Sequence, residues 1–203
     1  MDIIMIDLQE IVAARARLDG VVHRTPLEYS TALSERTGRH VYLKLENVQR
    51  TGSFKIRGAY NRVACLTDDE RTRGIATAST GNHAQGVAWA AARFGLSCQV
   101  FVPETVSQSK LAALRRYPVD LVLAGRGYEE TEEIALAACR DSGRTFISPF
   151  DDVKVMAGHG TIALEMLEDE PSLDGVVVPV GGGGLIGGVG SALRHLKPDA
   201  AVI

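Results

Sequence analysis

From Ile75 to Ile203 the chain repeats one pattern: a short apolar run, a turn, then a stretch with helical periodicity. Ile75–Ala78, Cys98–Val102, Val119–Ala124, Thr145–Ser148, Val176–Val180 and Ala200–Ile203 read as strands, and Pro103 and Pro149 stop two of them. The stretches from His83 to Gly95, Gln108–Tyr117, Tyr128–Asp141, Thr161–Glu168 and Leu185–Leu196 read as the intervening helices. Strands joined by helices pair in parallel through crossover connections, and short continuous apolar strands suit sheets covered on both faces. The pattern predicts an α/β fold with parallel sheets and flanking helices.

The first 74 residues are less regular. Asp7 is placed to cap a helix with Leu8, Ile11, Val12 and Leu18 on one face, ended by Gly20. Ser30 opens a short helix that stops at Gly38. His40–Glu46 alternates Val41, Leu43 and Leu45, which predicts a strand with those three on its buried face. Asn47–Ser53 is a polar loop, and from Lys55 the pattern is helical, with Ile56, Ala59, Tyr60, Val63 and Ala64 on one side. No linker is evident, so a second domain is expected to arise by excursion of the chain.

Composition narrows the class. With 203 residues, 45% hydrophobic and 23% charged, the chain has material for a sizeable core and is unlike a disordered segment. Net charge is −3 and no basic stripe appears, so no nucleic-acid partner is expected. Gly175–Leu193 is uncharged and long enough to span a bilayer, but its eight glycines and one proline fit a strand, a turn and a helix start better; no membrane partner is expected. Cys65, Cys98 and Cys139 form no CxxC pair, and the N-terminus lacks a basic leader region, which together suggest reduced thiols in a cytoplasm.

Three segments carry candidate chemistry. The first is VVVPVGGGGLIGG, where glycines between a strand and a helix let backbone N–H groups close around a phosphate at the helix N-terminus. Gly182, Gly184 and Gly187 also spell the dinucleotide pattern GxGxxG, whose acidic partner about 20 positions on would fall at or past Ile203, and a tight turn for packing alone is a third reading. The second is Ser53-Phe54-Lys55 at a loop-to-helix junction. Desolvated beside the aromatic, Lys55 would be a nucleophile toward a carbonyl; a first-turn surface lysine is the plainer reading. Arg57 stands close with no acid nearby in sequence, an unfavourable pairing at a helix start that suits a bound anion. The third is Ser79-Thr80-Gly81-Asn82-His83, a turn whose hydroxyls, amide, imidazole and free N–H groups suit a carboxylate, or which serves only as a cap through Ser79 or Asn82. No histidine or acid follows His83 at helical spacing, and His159 and Glu165 look isolated, so no metal site is expected.

In this order the segments resemble the fold-type II pyridoxal-phosphate enzymes. LENVQRTGSFKIRGAYN resembles the cofactor-lysine segment of the threonine/serine dehydratases, and STGNHAQGVAWAA their substrate-carboxylate loop. GHGTIALEML and VPVGGGGLIGG resemble later landmarks, the second being the cofactor-phosphate loop. The resemblance covers essentially the whole chain. It implies a three-layer, tryptophan-synthase-β-like architecture, with residues 1–46 and 147–203 in a large cofactor domain and residues 47–146 as a small domain inserted within it.

The resemblance also implies roles. Pyridoxal 5'-phosphate would be bound covalently by Lys55, flanked by Phe54, hydrogen-bonded at its ring hydroxyl by Asn82, and held at its phosphate by Gly181, Gly182, Gly183, Gly184 and Leu185. Ser79, Thr80, Gly81, Asn82 and His83 would hold the substrate carboxylate. Lys55, kept neutral by burial beside Phe54 and near Arg57, would take the Cα proton of threonine, serine or a related β-hydroxyamino acid. β-Elimination then yields a 2-oxo acid and ammonia, in a homo-oligomer (dimer or tetramer). Thr80 stands where dehydratases carry alanine or serine. Serine racemases use a serine there to supply a proton on the opposite face, which makes Thr80 a second catalytic candidate; the same substitution resembles dehydratases of hydroxyectoine breakdown. Family members continue past the position of Ile203, to a serine or cysteine at the pyridine nitrogen and in some a divalent-metal site. The chain is therefore expected to be an N-terminal part, its large domain incomplete and its last strand uncovered. A catalytically silent fragment and a nicotinamide-binding protein are the competing readings.

Overall fold

The computed structural model describes residues 5–203; the start of the chain, read above as unlike a leader, falls partly on residues 1–4, outside the described ones. Helix α1 (Leu8–Leu18) begins at Asp7, whose carboxylate accepts the N–H of Gln9. Ile11, Ala14 and Leu18 are its buried stripe. Val12, expected on that face, is 46% exposed, because it lies a third of a turn away from Ile11.

Strands β1 (Leu27–Tyr29) and β2 (Tyr42–Lys44) flank helix α2 (Thr31–Thr37) and pair antiparallel, an exception to the parallel reading. The face expected for β2 is inverted. Leu43 is exposed, whereas the side chains of Lys44 and, just past the strand, Glu46 are only 7% and 12% exposed. Alternation places apolar groups inward, but here the inward groups are charges that neutralise one another. A 3-10 turn (Glu46–Val48) then leads into the loop before helix α3 (Lys55–Ala64). The short helix α4 (Asp68–Arg73) follows, its start signalled by a capping box between Thr67 and Glu70 that the sequence reading passed over.

The next elements are β3 (Ile75–Ala78), α5 (Asn82–Phe94), β4 (Cys98–Val102), α6 (Gln108–Leu114), β5 (Asp120–Leu123), α7 (Tyr128–Ser142) and β6 (Thr145–Phe146). Their strands form one parallel sheet in the order β5-β4-β3-β6. Successive side chains of a strand point to opposite faces, and here both faces are covered. Ile75, Cys98, Val100 and Val102 pack with Ala59 and Val63 of α3, Val87 and Ala91 of α5, and Leu111 and Leu114 of α6. Ala76, Ala78 and Phe101 pack against Ala135 and Cys139 of α7 on the other side. The three-layer α/β arrangement follows.

Helix α8 (Val153–Asp169) begins well before the expected Thr161, because Asp152 caps it by accepting the N–H groups of Lys154 and Val155. Gly158 and Gly160, which precede the expected start, lie inside it at close helix contacts. A Cβ on Gly58 of α3 would stand 2.5 Å from His159 Cε1, and one on Gly160 would stand 2.9 Å from Gly188 O. Strand β7 (Gly175–Val176) is shorter than expected, with Val177 and Val180 exposed, since Pro179 has no N–H to continue a ladder. Helix α9 (Gly184–Leu196) and strand β8 (Ala201–Val202) complete the chain, β8 pairing parallel with β7. Ile11 and Ala14 of α1, Ala157, Ile162 and Ala163 of α8, and Val189, Ala192 and Leu193 of α9 form a core of their own. Among the described residues, no helix is long and apolar enough to cross a membrane, and Gly175–Leu193 is a strand, a loop and a helix start.

Candidate active site

The sheet order creates a crevice. From β3 the chain steps outward to β4 and β5, then returns through α7 to β6 on the other side of β3. Connections leave neighbouring strands in opposite directions at such a point, which opens a space beyond their carboxyl ends. Two segments meet there: Ser79–Gly81 after β3 and Ile147–Phe150 after β6.

His83 and Thr77 tie them together. Thr77 Oγ1 donates to the carbonyl of Ile147 at 2.9 Å, and His83 Nε2 lies 3.1 Å from the same oxygen. A carbonyl only accepts, so Nε2 carries the proton. The imidazole is 3% exposed and burial pushes its pKa down to about 3, leaving it neutral. Its Nε2 is committed to Ile147, so what His83 leaves open to an anion at the start of α5 is its backbone N–H. The N-cap of α5 is Gly81, without a side-chain capping bond; neither Ser79 nor Asn82 caps it. Ser79 Oγ instead accepts the N–H of Gly81 at 3.2 Å, and Asn82 is exposed as the first helical residue. The first-turn N–H groups of α5 therefore have no intrahelical or side-chain acceptor and attract an anion. Thr80 Oγ1 accepts from Lys110 Nζ at 3.4 Å.

Lys55 reaches the same place from the first turn of α3. Its Nζ donates to Pro149 O at 2.7 Å and stands 5.3 Å from the centroid of the Phe54 ring. Burial lowers its pKa. Phe54 is held by an edge contact to the ring of His159, centroids 4.9 Å apart. His159 is fully buried with neither ring nitrogen hydrogen-bonded. Desolvation, reinforced by Lys55, His83 and Arg57, holds it far below the usual range and neutral.

The glycine loop approaches from the opposite side and closes on Phe150. A Cβ on Gly184 would stand 2.8 Å from Phe150 Cα, and one on Gly182 would overlap the Phe150 ring. Gly181 is exposed and Leu185 half-buried. Gly183 caps α9 without a side chain to take its first N–H groups. Thus Lys55, the β3 turn through His83, and the glycine loop all rest on Ile147–Phe150. That segment was read from sequence only as a strand and its stop; Ser-Pro-Phe directly after a strand was the available signal.

One expectation is corrected outright. Arg57 is not a cation awaiting an anion. It is fully buried, and its guanidinium donates to Glu46 at 2.9 and 2.8 Å and to Glu165 at 2.6 and 2.9 Å. Burial alone would lower its pKa, but the hydrogen bonds it donates to both glutamates outweigh it and the net direction is upward. Glu165 also pairs with Lys44 Nζ at 2.6 Å. Neither glutamate is near Arg57 in sequence, so spacing could not reveal them. A cavity of about 1400 Å³ lies against β2, β7 and β8; it reaches Phe54 and Leu185 but not Lys55 or the Ser79–Asn82 turn.

A phosphorylated aldehyde fits this set of groups. It needs a desolvated amine, an uncapped helix start with space for a phosphate, and an aromatic wall; Lys55, Gly182–Leu185 and Phe54 supply them.

Comparison with known proteins agrees. The family profile described as pyridoxal-phosphate dependent enzyme matches residues 18–203. The L-threonine ammonia-lyase of Thermotoga maritima is 50% identical over 199 residues, which are 98% of this chain and 50% of that protein. The catabolic L-threonine dehydratase TdcB of Escherichia coli K12 is 43% identical over 97% of this chain and 60% of its own length. Among solved structures, maize serine racemase superposes with a TM-score of 0.93 at 34% identity, over 98% of this chain and 60% of that one. The processed form of threonine deaminase isoform 2 from Solanum lycopersicum gives 0.91 at 37% identity, over 99% and 58%. The chain thus spans about half to three-fifths of the length of these relatives. It belongs to the pyridoxal-phosphate dependent enzyme family.

Proposed function

We propose that the protein deaminates L-threonine, L-serine or a related β-hydroxyamino acid to a 2-oxo acid and ammonia by β-elimination. The observation that carries this reading is the convergence of Lys55, the β3 turn and the glycine loop on Ile147–Phe150. The similar proteins named as threonine ammonia-lyase and threonine dehydratase support it.

Bound pyridoxal phosphate supplies an electron sink for the pair left at Cα when its proton departs. The chain's own residues do the rest. Lys55 would be the residue that holds the cofactor aldehyde, and its Nζ would accept the Cα proton, a role that burial favours by disfavouring the ammonium. Pro149 O orients that nitrogen. Phe54 would flank the ring, Asn82 would bind its hydroxyl, and Gly181–Gly184 with Leu185 would hold the phosphate through N–H groups at the start of α9. Ser79, Thr80, Gly81 and the N–H groups of Asn82 and His83 hold the substrate carboxylate at the start of α5.

A second reading, racemisation, has one observation in its favour. The Thr80 hydroxyl lies against the Lys110 ammonium, which eases release of its proton to the opposite face of Cα. The likeness to maize serine racemase accompanies it. We also propose the domain division given above, supported by a core whose buried residues come from 6–14 and 157–193. A cytoplasmic setting, supported by three free cysteines, and a homo-oligomer of two or four chains complete the proposal.

The test is a product assay with added cofactor and a panel of β-hydroxyamino acids. The expected products from L-threonine are a 2-oxo acid and ammonia in equal amounts. Racemised substrate without ammonia would favour the Thr80 reading, and no turnover of any panel member would defeat both.

A further inference from the structure

Arg57, Glu46, Glu165 and Lys44 form a buried cluster whose two positive and two negative charges balance. Its contacts are extensive. Besides the forked bonds to both glutamates, Arg57 donates to His23 O and to Thr161 Oγ1, each at 3.2 Å. Lys44 Nζ donates to Thr25 O at 2.6 Å, and Thr25 Oγ1 donates to Glu46 at 2.5 Å. Stability alone is a poor explanation. Replacing a buried ion pair by apolar residues of similar volume is often neutral or favourable, because desolvating the charges costs as much as their attraction returns. What forked, charged bonds supply is a fixed distance and angle.

That geometry is imposed on one arc of chain. Residues 46–57 run from the 3-10 turn to the first turn of α3, with Lys55 near the far end. Glu46 and Arg57 tie the two ends of the arc to each other. Midway, Gln49 exchanges hydrogen bonds with His23, both at 2.8 Å, and the carbonyl of His23 is the one that Arg57 also reaches. Lys55 and Arg57 are two residues apart on a helix, so they face roughly opposite sides. Arg57 grips Glu165 of α8 while Lys55 meets Pro149, and the turn between them is held from both sides.

We propose that this cluster is a positioning device for Lys55, with Arg57 acting on the chemistry through the lysine two residues before it. The proposal rests on Lys55 being the reacting lysine.

The experiment reads two quantities in the full chain: the pH midpoint of Lys55 modification by acetic anhydride, followed by peptide mass spectrometry, and uptake of pyridoxal phosphate by titration. Arg57→Lys keeps the charge and removes the fork. The midpoint is expected to rise toward the ordinary lysine range as water reaches a loosened turn, and cofactor uptake to weaken by about 10²-fold. The charge-balanced double variant Lys44→Met/Glu165→Gln guards against misfolding of the first and is expected to move both quantities the same way. Glu168→Gln, which breaks surface pairs with Arg15 and Arg24, should move neither. If folded variants lose thermal stability but keep the parental midpoint and uptake, the cluster is merely structural and the proposal is overturned; loss of fold in both variants overturns it equally. A parent chain that takes up no cofactor, with a midpoint that still moves in the variants, would refute the functional reading and leave the positioning role standing.

Discussion

Gly183 holds a φ of +86° at the N-cap of α9, with nothing within 4 Å of where a Cβ would sit. Space is available there, so the glycine is needed for its backbone shape. Gly183→Val forces a β-branched residue into a left-handed conformation, at a cost of about 1–3 kcal/mol. The chain can relieve that strain by re-aiming the loop N–H groups, and a cofactor affinity about tenfold weaker is expected in a titration of pyridoxal phosphate; unchanged affinity would remove this loop from the phosphate site. Residue type and local spacing drew attention to Lys55 and the glycine run but left plainer readings open for both, and it was the resemblance that gave them roles. His159 and Glu165 were not legible. Each acts through α3, about a hundred residues earlier in the chain, and no local pattern reports such a contact. Membership of the family also sets aside the dinucleotide reading of Gly182, Gly184 and Gly187.

Helices α3, α8 and α9 approach one another closely at glycines. A Cβ on Gly188 would lie well inside contact distance of Met156 O, whereas one on Gly190 would meet only Val202 Cγ1 at 3.8 Å. The two positions, two residues apart on one helix, should respond oppositely. Gly188→Ala pushes backbone from backbone and should lower stability by roughly 1–3 kcal/mol or more. Gly190→Ala should raise it by up to about 1 kcal/mol through helix propensity. Urea denaturation of both variants checks the pair, and equal effects would mean that α8 and α9 do not approach as described. The same glycines explain why the start of α8 was misplaced: in sequence Gly158 and Gly160 weaken a helix, and only the neighbouring helix shows why they are there. The inverted face of β2 has a related cause. Apolar alternation identifies the inward side when that side is apolar, and Lys44 and Glu46 turn inward because Arg57 and Glu165 receive them. By contrast β3, β4 and the helix after β3 were legible to within a residue, and the helix after β4 at its start though it ends at Leu114 rather than Tyr117, since each buries an apolar stripe of its own against one sheet.

At the scale of the whole molecule, His83 and His159 couple stability to pH. Both are neutral when folded, His83 with a pKa of about 3 and His159 well below its ordinary value, in each case chiefly through burial. In the unfolded chain each takes up a proton near pH 6.5. Below that pH the unfolded state binds protons that the folded state refuses, so stability falls as pH drops from about 6.5, by up to about 1.4 kcal/mol per pH unit for each imidazole. Urea midpoints measured between pH 5 and 7, above the carboxylate range, should show this slope, and His159→Gln should remove about half of it. A flat profile would mean that the imidazoles are hydrated. The central claim concerns Lys55, which among Lys44, Lys55, Lys110, Lys154 and Lys197 is the one whose Nζ donates to the segment after β6, at Pro149 O. Its most direct test is borohydride reduction of the protein loaded with pyridoxal phosphate, followed by peptide mapping. The expected result is a single phosphopyridoxyl label, on Lys55; a label on any of the other four, or no stoichiometric label at all, would contradict it.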